Sequence, residues 1–136
     1  MYQKILVPID LTNAEKGKAM IDVAKKLGGK GVRITLLNVI EDIPNYVAVE
    51  IPGEIIKQMG VNAHDELEDM AKAAGISTEV AVHSGRPATA ILDASEDMAA
   101  DLIVIASHRP GLQDYLLGST AARVVRHAKC SVLVMR

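Results

Sequence analysis

The sequence predicts an α/β fold: one five-stranded parallel sheet with helices on both faces, of the Rossmann-like kind. Three observations lead there. Short runs of branched apolar residues recur along the chain at Ile5-Leu6-Val7-Pro8-Ile9, Val32 to Ile40, Ser77 to His83, Leu102 to Ala106 and Ser131 to Met135. Each pair of runs is separated by a segment with helical periodicity, giving β-α-β-α-β-α-β-α-β. Strict alternation of this kind calls for parallel strands joined by right-handed crossovers. The 136 residues suit a single domain over 1–136, without a linker or an internal repeat.

The first run is rich in branched residues, with Pro8 near its end. Thr12-Asn13-Ala14-Glu15 has capping-box spacing and predicts a helix start. Met20, Val23, Ala24 and Leu27 repeat at i, i+3, i+4, i+7, one face of that helix. Gly28-Gly29 is expected to end it in a left-handed cap. After the second run, Glu41 to Gly53 contains Pro44 and Pro52 and reads as irregular. From about Glu54 the pattern is helical, with Leu67, Met70, Ala71 and Ala74 on one face and Gly75 as the stop. Ser84-Gly85-Arg86-Pro87 reads as a turn into a helix, with Pro87 in its first turn and Ile91, Leu92, Met98 and Ala99 on its buried face. Leu102 to Ala106 is apolar throughout, as expected of a strand covered on both sides. Ser107 to Leu117 is a polar loop. A helix then begins near Gly118-Ser119, burying Ala121, Val124, Val125 and Ala128.

Composition narrows the function. There are 15 basic and 17 acidic residues, a formal net charge of −2, without the basic excess of a nucleic-acid binder. No segment approaches the roughly 18 apolar residues of a membrane helix, so no membrane partner is expected. The N-terminus lacks a signal-peptide core, and a cytoplasmic location is the expectation. Phe and Trp are absent, so the core must be aliphatic. The single Cys130 excludes an intramolecular disulfide and reads as an inert thiol. His64, His83, His108 and His127 have no metal-ligand spacing.

Five strands of this type commonly adopt the order 3-2-1-4-5 or 2-1-3-4-5. Either way, ligands bind outside the strand C-termini where the order reverses. In the first order the reversal lies between strands one and four, whose following loops begin at Asp10 and Ser107. The second of these loops ends in Gly118-Ser119-Thr120 at a helix start. Free amides, the helix dipole and two hydroxyls there suit a phosphate; the same residues also suit a plain helix cap. A Walker A sequence is absent, because Gly17-Lys18 is followed by Ala19 and Gly29-Lys30 by Gly31. Ile9-Asp10-Leu11-Thr12 contains no glycine, so a dinucleotide fingerprint is absent there too.

Several stretches together resemble the universal stress protein family. They are Lys4-Ile5-Leu6-Val7-Pro8-Ile9-Asp10, Leu36-Leu37-Asn38-Val39-Ile40, Ser84-Gly85-Arg86-Pro87, Asp101 through Arg109, Leu116-Leu117-Gly118-Ser119-Thr120 and Cys130 through Met135. The likeness covers the whole chain, and its closing stretch is most similar to the small enterobacterial F/G-type members. It implies the order 3-2-1-4-5 and ATP as ligand, held through a motif Gly-x2-Gly-x9-Gly-Ser/Thr. Residue by residue, the last glycine falls on Gly118 and the hydroxyl on Ser119. Asp10 matches the acidic residue at the adenosine end, Val39 an apolar residue beside the adenine, and Ile105 and His108 positions lining the crevice. The implied binding set is Pro8, Ile9, Asp10, Val39, Ile105, Ala106, His108, Arg109, Gly118, Ser119 and Thr120. Two departures stand out: Ala106 and Arg109 occupy the first two motif glycines, and the spacer from Pro110 to Leu117 is one residue short. Arg109 either obstructs the close backbone approach that glycine permits or offers its guanidinium to a phosphate.

No catalytic residue set stands out, and no metal ligand is expected from the protein; Mg²⁺ would enter only through the ATP phosphates. In the order 3-2-1-4-5 the last strand, Ser131-Val132-Leu133-Val134-Met135, is an apolar edge without a protective lysine. Such an edge invites a two-fold homodimer, as the resemblance also implies, with further pairing into a tetramer left open; its own helices could cover it instead. The reading is a general-stress protein with ATP as a regulatory ligand. The alternatives are a nucleotide-free protein–protein interaction module and a slow ATPase.

Overall fold

The computed structural model describes residues 1–41, 51–75, 78–107 and 117–136. Five strands form one parallel sheet: β1 (Tyr2–Pro8), β2 (Gly28–Glu41), β3 (Thr78–Gly85), β4 (Leu102–Ala106) and β5 (Ser131–Met135). Their order is β3-β2-β1-β4-β5. The described helices are α1 (Ala14–Leu27), α2 (Gly53–Ala74), α3 (Pro87–Asp97) and α4 (Ser119–His127).

Strand alternation sorts the core into two layers. Ile5, Val7, Ile34, Leu36, Leu102 and Val104 pack with Met20 and Ala24 of α1 and Leu67 and Met70 of α2. Leu6, Leu37, Ile103 and Ile105 pack on the other face with Ala88 and Ile91 of α3 and Ala121 and Val124 of α4. The central strands are buried on both sides, which is why they read as unbroken apolar runs.

β1 and β4 are also locked together at their N-terminal ends. The Asp101 carboxylate accepts the main-chain N–H of Gln3 at 2.8 Å and of Lys4 at 3.0 Å, and the Asp101 N–H donates to the Lys4 carbonyl at 2.9 Å.

Local structure departs from the sequence expectations in five places. Thr12 does not cap the first helix. Asp10 Oδ1 accepts both the Thr12 N–H and the Thr12 hydroxyl, so a 3-10 turn over Leu11–Asn13 comes first, and Asn13 caps α1. Gly28 is extended rather than left-handed and passes straight into β2; the positive φ falls on Gly31, at +76°. The first residues of β2 take up extra length there, since Tyr2 pairs with Gly28 but Lys4 with Arg33. Ser84 and Gly85 extend β3 rather than forming the turn, and Ser77 lies outside the described residues.

Ala99 is exposed rather than buried. It occupies a left-handed position (φ 54°) just past α3, with its N–H donating to the Glu96 carbonyl and that of Ala100 to the Ser95 carbonyl. These are the paired bonds of a Schellman cap, a position glycine normally fills. Val125 faces solvent at 47% exposure because the narrow buried stripe of α4 is spent on Ala121 and Val124.

Candidate functional site

A cavity of about 1000 Å³ opens at the C-terminal ends of β1 and β4, where the strand order reverses. The sheet supplies its floor. Pro8, Ile9 and Asp10 come from the end of β1, Leu37, Asn38 and Val39 from β2, and Ile105, Ala106 and Ser107 from β4. The first turns of the helices supply its walls: Asn13 and Lys16 at the start of α1, Pro87 of α3, and Ser119 and Thr120 of α4 after Gly118.

Each wall has a local cause. Asp10 leaves the sheet in an extended conformation and turns the chain over its own carboxylate, which accepts from Thr12 N at 2.9 Å and Thr12 Oγ at 2.6 Å. Asn38 Nδ2 donates to the Ile9 carbonyl at 3.0 Å. The Ile9 N–H in turn donates to the Leu37 carbonyl at 2.7 Å, so β1 and β2 stay joined past the last ladder pair, Pro8 with Leu37. Lys16 is half-buried, and its Nζ donates to the main-chain oxygen of Arg136.

The wall of hydroxyls is set by backbone contacts. Ser107 is 3% exposed; its N–H donates to the Met135 carbonyl at 2.8 Å, and its carbonyl accepts from the Gly118 N–H at 2.5 Å. Gly118 is extended and begins α4 without a side-chain cap. The first-turn amides of α4 therefore have no partner within the helix, and Gly118, Ser119 and Thr120 at that helix start line the cavity.

Of the residues expected at the site, Pro8, Ile9, Asp10, Val39, Ile105, Ala106, Gly118, Ser119 and Thr120 line this one cavity. His108 and Arg109 lie outside the described residues. Ala106 sits in regular β4, paired with Met135, and is not among the residues with positive φ. A side chain is thus accommodated at the first motif glycine without strain. Asn13, Lys16, Asn38, Glu41, Pro87, Ile91 and Arg136 also line the cavity and were not expected. Asn38 carried a signal, an amide inside Leu36-Leu37-Asn38-Val39-Ile40; the others reach the cavity only through the tertiary fold.

Other chemistry-bearing groups lie elsewhere. His64, His83 and His127 are exposed, and among the described residues no group of three His, Cys, Asp or Glu is placed to hold a metal ion. Cys130 is half-buried, and burial, followed by the nearby Asp101 carboxylate, pushes its thiol above the ordinary range. Among the described residues no helix is long and apolar enough to cross a membrane.

Known proteins share this architecture. A universal stress protein of Methanocaldococcus jannaschii is 32% identical over 141 aligned positions, covering 100% of this chain and 83% of its own. The solved structure of hypothetical protein MJ0577 superposes with a TM-score of 0.83 at 27% identity, covering 99% of this chain and 96% of that one. A universal stress protein solved in complex with cAMP superposes at 0.65 with 25% identity, covering 99% and 97%. The sequence model of the universal stress protein family matches residues 1–136. With its whole length matched and its sheet in the order β3-β2-β1-β4-β5, this chain belongs to the universal stress protein family.

Proposed function

We propose that the protein binds ATP in the cavity at the β1–β4 reversal and uses occupancy of that site as a regulatory signal in a general stress response. One observation carries the reading. The cavity joins an apolar lining from Ile9, Val39 and Ile105 to the uncapped N-terminus of α4 with Gly118, Ser119 and Thr120. An apolar slot suits a purine, and helix amides with the positive end of the dipole suit phosphate oxygens. The similar protein solved with cAMP supports an adenine nucleotide as the class of ligand. In this reading Pro8, Ile9, Asp10, Val39 and Ile105 hold the adenosine. Ala106, Gly118, Ser119 and Thr120 face the phosphates, with His108 and Arg109 also contributing. Mg²⁺ accompanies the phosphates rather than binding protein side chains.

The same reading has a cytoplasmic homodimer formed through β5. What supports it is the position of β5 at the sheet edge, with Val132, Leu133, Val134 and Met135 only half-buried.

The test uses protein purified without added nucleotide. It is denatured, and any released ligand is identified and quantified by chromatography and mass. About one ATP or ADP per chain is expected. An empty protein that also shows no thermal shift with Mg-ATP would favour a nucleotide-free interaction module working through the β5 edge.

A further inference from the structure

Charge is unevenly placed around the cavity. Its acidic lining residues, Asp10 and Glu41, come from the ends of β1 and β2. Its cationic ones among the described residues, Lys16 and Arg136, are joined by the bond from Lys16 Nζ to the Arg136 main-chain oxygen. Arg136 follows β5, and β2 and β5 flank the central β1–β4 pair on opposite sides. The acids therefore stand toward one side of the cavity and the ammonium toward the other.

The ammonium side is also the side of α4. Met135, adjacent to Arg136, accepts from Ser107 N–H, and the Ser107 carbonyl accepts from Gly118 N–H. Lys16 is thus tied by consecutive backbone contacts to the corner where α4 begins. A cation in the first turn of a helix opposes that helix's own dipole, so Lys16 is poorly placed for the stability of α1. Its ammonium carries three donors, of which the Arg136 oxygen takes one.

We propose that Lys16 makes this site discriminate nucleoside triphosphates from monophosphates; the proposal rests on the nucleotide reading above. The adenosine part lies over β1 and β2, beside the acids. The polyphosphate runs toward α4, and each added phosphate brings more negative charge to the Lys16 ammonium. A compact ammonium acts there as a point charge, and its attraction grows with the charge it faces.

The test is equilibrium titration of the full chain with ATP, AMP and adenosine, for the wild type, Lys16→Ala and Lys16→Arg. The wild type is expected to bind ATP at least tenfold more tightly than AMP. Lys16→Ala should cut that ratio about tenfold, weakening ATP most and adenosine least, and Lys16→Arg should keep most of it. An unchanged ATP-to-AMP ratio in Lys16→Ala overturns the proposal. So does an equal loss for all three ligands, which would mark Lys16 as a purely structural tie to Arg136. Failure of the wild type to bind any of the three would instead remove the nucleotide reading itself, and this proposal with it.

Discussion

Gly118 and Ser107, well separated in sequence, are joined directly, the Gly118 N–H donating to the Ser107 carbonyl at 2.5 Å. Because Ser107 is itself bound to Met135, the start of α4 is fixed to the ends of β4 and β5. The position of the α4 amides is thus set by the sheet. A spacer one residue shorter than the motif the resemblance implies therefore still leaves Gly118, Ser119 and Thr120 on the wall of the cavity.

Ala99→Gly is expected to stabilise the protein. Ala99 holds φ 54° at the left-handed position of the α3 Schellman cap. An L-residue there costs about 1 kcal/mol relative to glycine. Urea unfolding should show a gain of about 0.5–1 kcal/mol with an unchanged slope. A loss of stability would show that the cap is not strained.

Asp101→Ala should destabilise by about 1–3 kcal/mol, because the Gln3 and Lys4 amides both lose their acceptor. Chemical denaturation measures this, and amide exchange at Gln3 and Lys4 should quicken in step. A variant as stable as the wild type would show that water replaces the carboxylate at no cost.

The Cys130 thiol should alkylate slowly at neutral pH. Burial and the Asp101 carboxylate both disfavour its thiolate, raising its pKa, so less of the reactive form exists at any given pH. The rate with iodoacetamide should keep rising with pH beyond the midpoint of an ordinary thiol, near about 8.5. A rate at pH 7 above that of a small free thiol would contradict this environment.

Much of this fold could be read from the chain, for reasons particular to each element. β4 and β5 appear with the bounds expected of them, because each is an apolar run ended by a change to polar residues. The helix stop at Gly75 is equally plain, since its φ of 68° suits glycine. The start of α1 was harder, because two residues compete for one task. Asp10 and Thr12 can each cap, and Asp10 acts first because the chain leaves the sheet extended at that point. Ala99 had no signal, as nothing local marks an alanine for a glycine's role. The strand order followed from the family resemblance, since alternation alone allows two orders. Within the site, the residues at strand ends were legible because strand ends are where such folds gather ligands. Lys16 and Arg136 were not, because α1 and the residue after β5 meet only in three dimensions.

In the homodimer proposed through β5, Val134→Lys should give a monomer in light scattering or sedimentation. Val134 lies midway along the second half of the edge strand, paired with Ile105 on its inner side. A charged side chain on an open edge blocks pairing with another chain. A wild type of monomeric mass would overturn the dimer, and a variant that stays dimeric would move its surface away from β5.

The central claim is that the start of α4 receives the phosphates, and one calorimetric comparison tests it most directly. Mg-ATP is titrated into wild type and Gly118→Asp, with circular dichroism confirming that both are folded. The substitution sets a carboxylate against the α4 amides. The account predicts binding near one ATP per chain in the wild type and at least a hundredfold weaker binding in Gly118→Asp. Equal ATP affinity in the two proteins would contradict it and take Gly118 out of the site.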